Sequence, residues 1–159
     1  MTPPQTVLPA NQRAIAAAML AAAGLCSARG AQFTKLRRRL LEILWSAPHP
    51  LTAYELLPRV SKSLGRTLTP ATIYRTLDFL LKQGLVARIA SRNAFVPCIH
   101  PDHPHACVFF VCDRCSSSVE IEDPALERRL MRDASTLGFE ISRKVLELQG
   151  TCAQCRAPA

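Results

Sequence analysis

The chain has no apolar run approaching the ~20 residues that a membrane span requires, so no membrane partner is expected. Acids are scarce over residues 1–97, with three against 13 Lys and Arg for a net of +10. Residues 98–159 carry nine acids against seven bases, a net of −2, and the two parts sum to the chain's +8. A front half this poor in acid suits a polyanion, and nucleic acid fits best once a membrane is set aside. An even cysteine set is missing as well. The seven cysteines, four of them in Cys-x-x-Cys spacing, point to reduced thiolates in a cytoplasm rather than a secreted disulfide framework. No His-x-Glu occurs and neither Cys-x-x-Cys follows a proline. That argues against a zinc deaminase or hydrolase; no catalytic residue and no small-molecule substrate are expected. The ten residues before Asn11 hold no Lys or Arg. The alanine-rich stretch 14–28 therefore reads as a packed helix rather than an export signal.

What is present is sharper. Cys112/Cys115 and Cys152/Cys155 form two knuckles. Four thiolates are the number that a tetrahedral structural zinc needs, and a two-residue spacer lets both sulfurs of a knuckle reach one ion about 2.3 Å away. A redox pair would open a helix in a βαβ unit, whereas the Cys112 knuckle is expected between two strands.

Ile15, Met19, Ala22 and Cys26 recur on one helical face, with Gly30 as a stop. Thr34 can cap a second helix with Leu36, Leu40, Ile43 and Leu44 inside and Arg37, Arg38 and Arg39 at its start. Thr52 caps a third, with Tyr54, Leu56, Leu57 and Val60 apolar and Pro58 expected to shorten or kink it. Thr69-Pro70 opens a fourth, whose inner face is Ile73, Leu77, Leu80 and Leu81, stopped by Gly84. Its other face shows Thr72, Tyr74, Arg75 and Lys82. Residues 85–89 and 94–97 then read as a hairpin. Helices followed by a hairpin give the order of a winged helix-turn-helix, in which the last helix enters the major groove. Thr72, Tyr74 and Arg75, with Arg37, are the expected DNA contacts.

Behind the hairpin, Cys98, His100, His103 and His105 crowd one loop. A strand is expected over 108–111, buried throughout, and another at Val119 and Ile121, with Glu120 on the opposite face. A helix over 124–137, closed by Gly138, and a last strand over 141–148 complete an α+β chain. Residues 1–97 are expected to form the DNA-binding domain with its hinge, and 98–159 a small α/β zinc-binding domain, which by its family resemblance is the dimerisation domain.

Ala71-Thr72-Ile73-Tyr74-Arg75-Thr76-Leu77-Asp78-Phe79-Leu80, Gln83-Gly84-Leu85-Val86, Val111-Cys112-Asp113-Arg114-Cys115 and Gly150-Thr151-Cys152-Ala153-Gln154-Cys155 carry a family resemblance, as does Leu51-Thr52-Ala53-Tyr54. With these motifs the chain resembles the ferric uptake regulator superfamily, in its zinc uptake regulator branch, over residues 12–156. The resemblance implies a homodimeric, zinc-responsive repressor of operator DNA. It implies a structural zinc on Cys112, Cys115, Cys152 and Cys155 and a regulatory zinc on Cys98, His105 and Glu120. Similar zinc regulators place a further histidine where this chain has Ala87, so the fourth ligand is expected to be His103, with His100 as the alternative. Similar repressors also carry an acid and an arginine where this chain has Pro58 and Ser61. A thiolate in the sensing set favours zinc or copper(I) over iron(II) or manganese, leaving an iron or peroxide sensor as the alternative.

Overall fold

The computed structural model describes residues 11–102, 107–142 and 144–156. Two compact units divide the chain, one holding the described residues up to Asp102 and the other those from Cys107 onward.

The front unit is built from four helices and a small sheet. Helix α1 (Gln12–Ala28) buries Met19, Ala22 and Cys26, the expected stripe, and Asn11 caps it by accepting from the Arg13 N–H. It ends in a paired turn in which Gly30 donates to the Ser27 carbonyl and Ala31 to that of Cys26. That turn needs φ +64° at position 30, a conformation that glycine adopts without a Cβ penalty. No described helix is long and apolar enough to cross a membrane.

Helix α2 (Lys35–Ser46) starts at Thr34 and buries Leu40, Leu41, Leu44 and Trp45. The short strand β1 (Leu51–Thr52) leads into α3 (Ala53–Leu64) through a reciprocal cap: Thr52 Oγ1 accepts from the Glu55 N–H while Glu55 accepts from the Thr52 N–H at 2.8 Å. These bonds hold the Glu55 carboxyl below its ordinary range. Pro58 neither shortens nor breaks α3, which runs twelve residues with the proline inside it. Residues Ala53, Leu56 and Val60 are held in the core on either side of it. Tyr54 is not on that face; it is 72% exposed.

Helix α4 (Pro70–Lys82) has Thr69 as cap and Pro70 in its first turn, and buries Ile73, Thr76, Leu77 and Leu80. Strands β2 (Val86–Ile89) and β3 (Ala94–Pro97) follow, joined by a 3₁₀ turn over Ala90–Arg92 with Asn93 left-handed at φ 48°. The sheet order is β1-β3-β2, with β1 pairing β3 through Leu51 opposite Phe95. The pairing with β1 was not foreseen. One core, from Met19 to Phe95, unites the four helices and the hairpin.

The rear unit is a three-stranded sheet, β5-β4-β6, with one main helix. Strand β4 (Cys107–Cys112) pairs antiparallel with β5 (Ser118–Ile121) and parallel with β6 (Val145–Gly150). Helix α5 (Pro124–Thr136) starts at Asp123, whose carboxylate accepts from the Ala125 and Leu126 N–H groups. Lys144 pairs with Glu127.

Three details differ from expectation. The last strand begins at Val145, not 141, because its start is fixed by pairing with Cys107 across the sheet. Phe110 is 48% exposed, so β4 is not buried throughout. Glu120 is buried at 8% exposure while Val119 and Ile121 are half-buried. The register explains the last point: Glu120 lies opposite Phe109, which is itself buried, so the carboxylate shares the covered face.

Candidate metal centre and nucleic-acid interface

Pairing of the sheet brings the knuckles together. Cys112 ends β4 directly beside Gly150, the end of β6, and the ladder continues as the Asp113 N–H donates to the Gly150 carbonyl at 2.8 Å. The first knuckle turns tightly, with the Ser116 N–H on the Cys112 carbonyl and Ser116 itself at φ 61°. The second lies in and before the one-turn helix α6 (Ala153–Arg156). Arg114 of the first knuckle donates to the Cys155 carbonyl of the second at 2.9 Å.

The four sulfurs of Cys112, Cys115, Cys152 and Cys155 lie within 4.8 Å of one another. Bonds of about 2.3 Å in a tetrahedron put ligand sulfurs roughly 3.8 Å apart; Cys115 and Cys152 stand at 3.7 Å. The donor set and its spacing fit zinc. Electrostatics fits as well. Backbone N–H groups of Cys115, Cys152 and Arg114 hold the Cys112 thiol down at about 6, with the Cys152 N–H 3.4 Å from its sulfur. The Ser117 hydroxyl, 3.1 Å from the Cys115 sulfur, lowers that thiol too. Cys155, crowded by Cys115, Cys152 and Cys112, is pushed up to about 12. Four thiols at this spacing do not shed all their protons unless a cation balances the charge.

For the second set, Cys98 is buried just after β3, and its N–H donates to the Leu85 carbonyl at 3.0 Å. Glu120 belongs to the other unit. His103 and His105 lie outside the described residues, and His100 is half-buried. Ala87 is buried in β2 with only a methyl to offer.

On α4 the expected reading face is open. Tyr74 and Arg75 are exposed, together with Asp78 and Lys82. Thr72 is half-buried, and its hydroxyl shares a 2.9 Å hydrogen bond with that of Thr69. Arg37, the fourth expected contact, is half-buried. Its guanidinium lies 3.4 Å from the Phe79 ring centroid and donates to the Gln32 carbonyl, tying α2 to α4. Tyr54, read from the sequence only as one of the apolar residues of its helix, is an exposed aromatic. The signal was available, since Ala53, Leu56 and Val60 define the inner stripe and Tyr54 falls about 100° from Ala53.

The profile of the ferric uptake regulator family matches residues 28–149. The zinc uptake regulation protein of Escherichia coli (strain K12) is 33% identical over 132 residues, 82% of this chain and 77% of that protein. A solved zinc uptake regulator complexed with zinc and DNA superposes with a TM-score of 0.81 at 32% identity, covering 89% of this chain and 94% of that one. The crystal structure of holo XcZur superposes with a TM-score of 0.76 at 40% identity, covering 86% and 95%. The chain belongs to the ferric uptake regulator family and, within it, stands with the zinc uptake regulators.

Proposed function

We propose that this protein is a zinc-responsive transcriptional repressor that binds palindromic operator DNA as a homodimer when zinc-loaded and controls zinc uptake and homeostasis genes in the cytoplasm. The observation that carries this is the likeness, over 89% of the chain, to a zinc uptake regulator complexed with zinc and DNA. The exposed Tyr74 and Arg75 on α4, in a half-chain of net +10, support the DNA-binding part. Tyr54, exposed at the start of α3, joins them as a candidate contact. Phe110 and Leu148, neighbours across β4 and β6 and 48% and 47% exposed, support a partner on that sheet face.

Each protomer takes two zinc ions in this reading. Cys112, Cys115, Cys152 and Cys155 hold a structural ion that staples the rear unit. Cys98, His103, His105 and Glu120 form the sensing set, with Ala87 contributing nothing. Residues 1–97 read DNA and residues 98–159 dimerise in this reading, and all four sensing ligands fall in the second part, with Cys98 at its very start. Cys98, which directly follows the hairpin, and Glu120 would hold one ion between them, and that binding would favour the DNA-competent arrangement, with recognition helices about 34 Å apart on the duplex. The chain then acts by binding, without catalysis.

An iron or peroxide sensor of the same family is the second reading, and the buried Cys98 thiol disfavours it. The test is DNA binding against buffered zinc, iron(II) and manganese, with metal stoichiometry measured in parallel. Zinc alone should activate binding. Cys98→Ser should keep one zinc per protomer and lose activation; normal activation by that variant would overturn the sensing set.

A further inference from the structure

We infer that Arg29 is a positioning residue that couples the segment carrying Cys98 to the seating of α4, the DNA-reading helix. The inference rests on the sensing role proposed for Cys98. Three elements of the front unit meet at this one side chain. Arg29 is the C-terminal cap of α1, and its backbone is fixed by its own N–H bonds to the Leu25 and Cys26 carbonyls and by the turn at Gly30. From there its guanidinium donates to the Gln83 carbonyl at 2.6 Å and to the Pro101 carbonyl at 3.3 Å.

Neither acceptor is incidental. Gln83 is the C-cap of α4, where unpaired carbonyls and the negative end of the helix dipole favour a cation. Pro101 lies three residues beyond Cys98, on the way to His103 and His105. A second link runs alongside. Gly84, at φ +68°, turns the chain so that the Leu85 N–H returns to the Leu80 carbonyl at 2.9 Å, while the Leu85 carbonyl accepts from the Cys98 N–H at 3.0 Å. The backbone of Cys98 is therefore two hydrogen bonds from the last turn of α4, and Arg29 bridges the same two segments from outside. Residues 98–101 cannot shift toward a ligand without pulling on the guanidinium fork or breaking it. The planar five-donor fork matters: a lysine ammonium has no rigid geometry for holding two carbonyls of different segments.

Arg29 donates to main-chain carbonyls at Gln83 and Pro101, so its loss should uncouple sensing from reading rather than abolish either. The test uses full-length protein and a duplex selected by zinc-loaded wild type from a random-sequence pool. Affinity is measured with zinc saturating, and again with zinc buffered so that only the Cys112/Cys115/Cys152/Cys155 site is filled. Arg29→Ala should reduce the zinc-dependent gain in DNA affinity at least fivefold, the low end of ordinary coupling factors. Zinc affinity without DNA should change less than twofold. By reciprocity the gain in zinc affinity on adding DNA should shrink by the same factor. Amide exchange at residues 83–85 should no longer slow when sensing zinc binds. Arg29→Lys, which keeps the charge, should fold normally and show the same loss. An undiminished zinc response in either variant overturns the inference. So does a drop in DNA affinity of equal size with and without sensing zinc, which would mean plain structural support. A wild-type protein that shows no zinc response would sink the sensing reading itself, and this inference with it.

Discussion

Replacing Cys155 by serine tests the proposed structural zinc at its most distal ligand. Cys112 and Cys155 stand at opposite ends of the rear unit's sequence, and β4 and β6 are held side by side right up to the sulfur cluster. Among the described residues the buried side chains of this unit are Val108, Phe109, Val111, Cys112, Glu120 and Ala134. Helix α5 contributes only Ala134 to that list. A core this thin leaves the ion much of the work. Structural zinc in zinc-finger peptides contributes about 10–16 kcal/mol to folding, against roughly 5–15 kcal/mol for the net stability of a whole domain. Losing one thiolate of four therefore threatens the entire unit rather than trimming it. We expect Cys155→Ser to lose one zinc per protomer and amide protection along Cys107–Cys112 and Val145–Gly150, and with them the dimer. Amides of α2 and α4 should stay protected, since that unit has its own core. Zinc stoichiometry combined with hydrogen exchange reads both outcomes. A zinc-depleted variant that keeps protection in β4 and β6 would refute the reasoning.

Zinc affinity at the same site should depend on pH in a specific way. Cys155, pushed up to about 12, keeps its proton at neutrality and must lose it on binding, while Cys112, held at about 6, is already a thiolate. Affinity should thus rise about tenfold per pH unit or more from pH 7 to 8, and more steeply below pH 6, where Cys112 also takes up a proton; competition with a chromophoric chelator measures it, and a flat profile refutes it. Arg75→Ala should weaken DNA binding without changing zinc content, by about 1–3 kcal/mol at one base position if it reads a base, or with a salt slope shallower by about one if it meets a phosphate. Wild-type affinity and salt dependence would remove α4 from the interface. Pro58→Ala should raise the melting temperature of the front unit, because a mid-helix proline lacks one hydrogen bond and costs up to about 3 kcal/mol. A lower melting temperature would mean that Pro58 makes a compensating contact.

Much of this architecture was legible because its signals are local. Thr34, Thr52 and Thr69 each precede a helix and each accepts from an N–H of the first turn. Cysteine spacing predicted the metal cluster because a knuckle is a short-range object. What escaped was set by pairing across the sequence. The two residues of β1 carry no periodicity, and only Phe95, more than forty positions on, makes them a strand. Alternation puts Glu120 on the face opposite Val119 and Ile121, but that this is the covered face follows only from its lying opposite the buried Phe109. The three consecutive arginines of α2 looked alike. Yet Arg37 lies over Phe79, Arg38 lies near Phe33, and Arg39 pairs with Glu42 at 3.0 Å. The two carbonyls that Arg29 bridges, at Gln83 and Pro101, likewise meet only in the fold.

The parallel pairing of β4 with β6 also orders events during synthesis. Every element of the front unit precedes Asp102, so that unit can fold while the rest of the chain is still within the ribosome. The sheet of the rear unit must wait for Val145–Gly150 to emerge, and its sulfur cluster for Cys155. At about 5–20 residues per second this leaves an interval of a few seconds in which a nascent chain has a complete front unit but no assembled sulfur cluster. During that interval Cys112 and Cys115 have no second knuckle to close the cluster with.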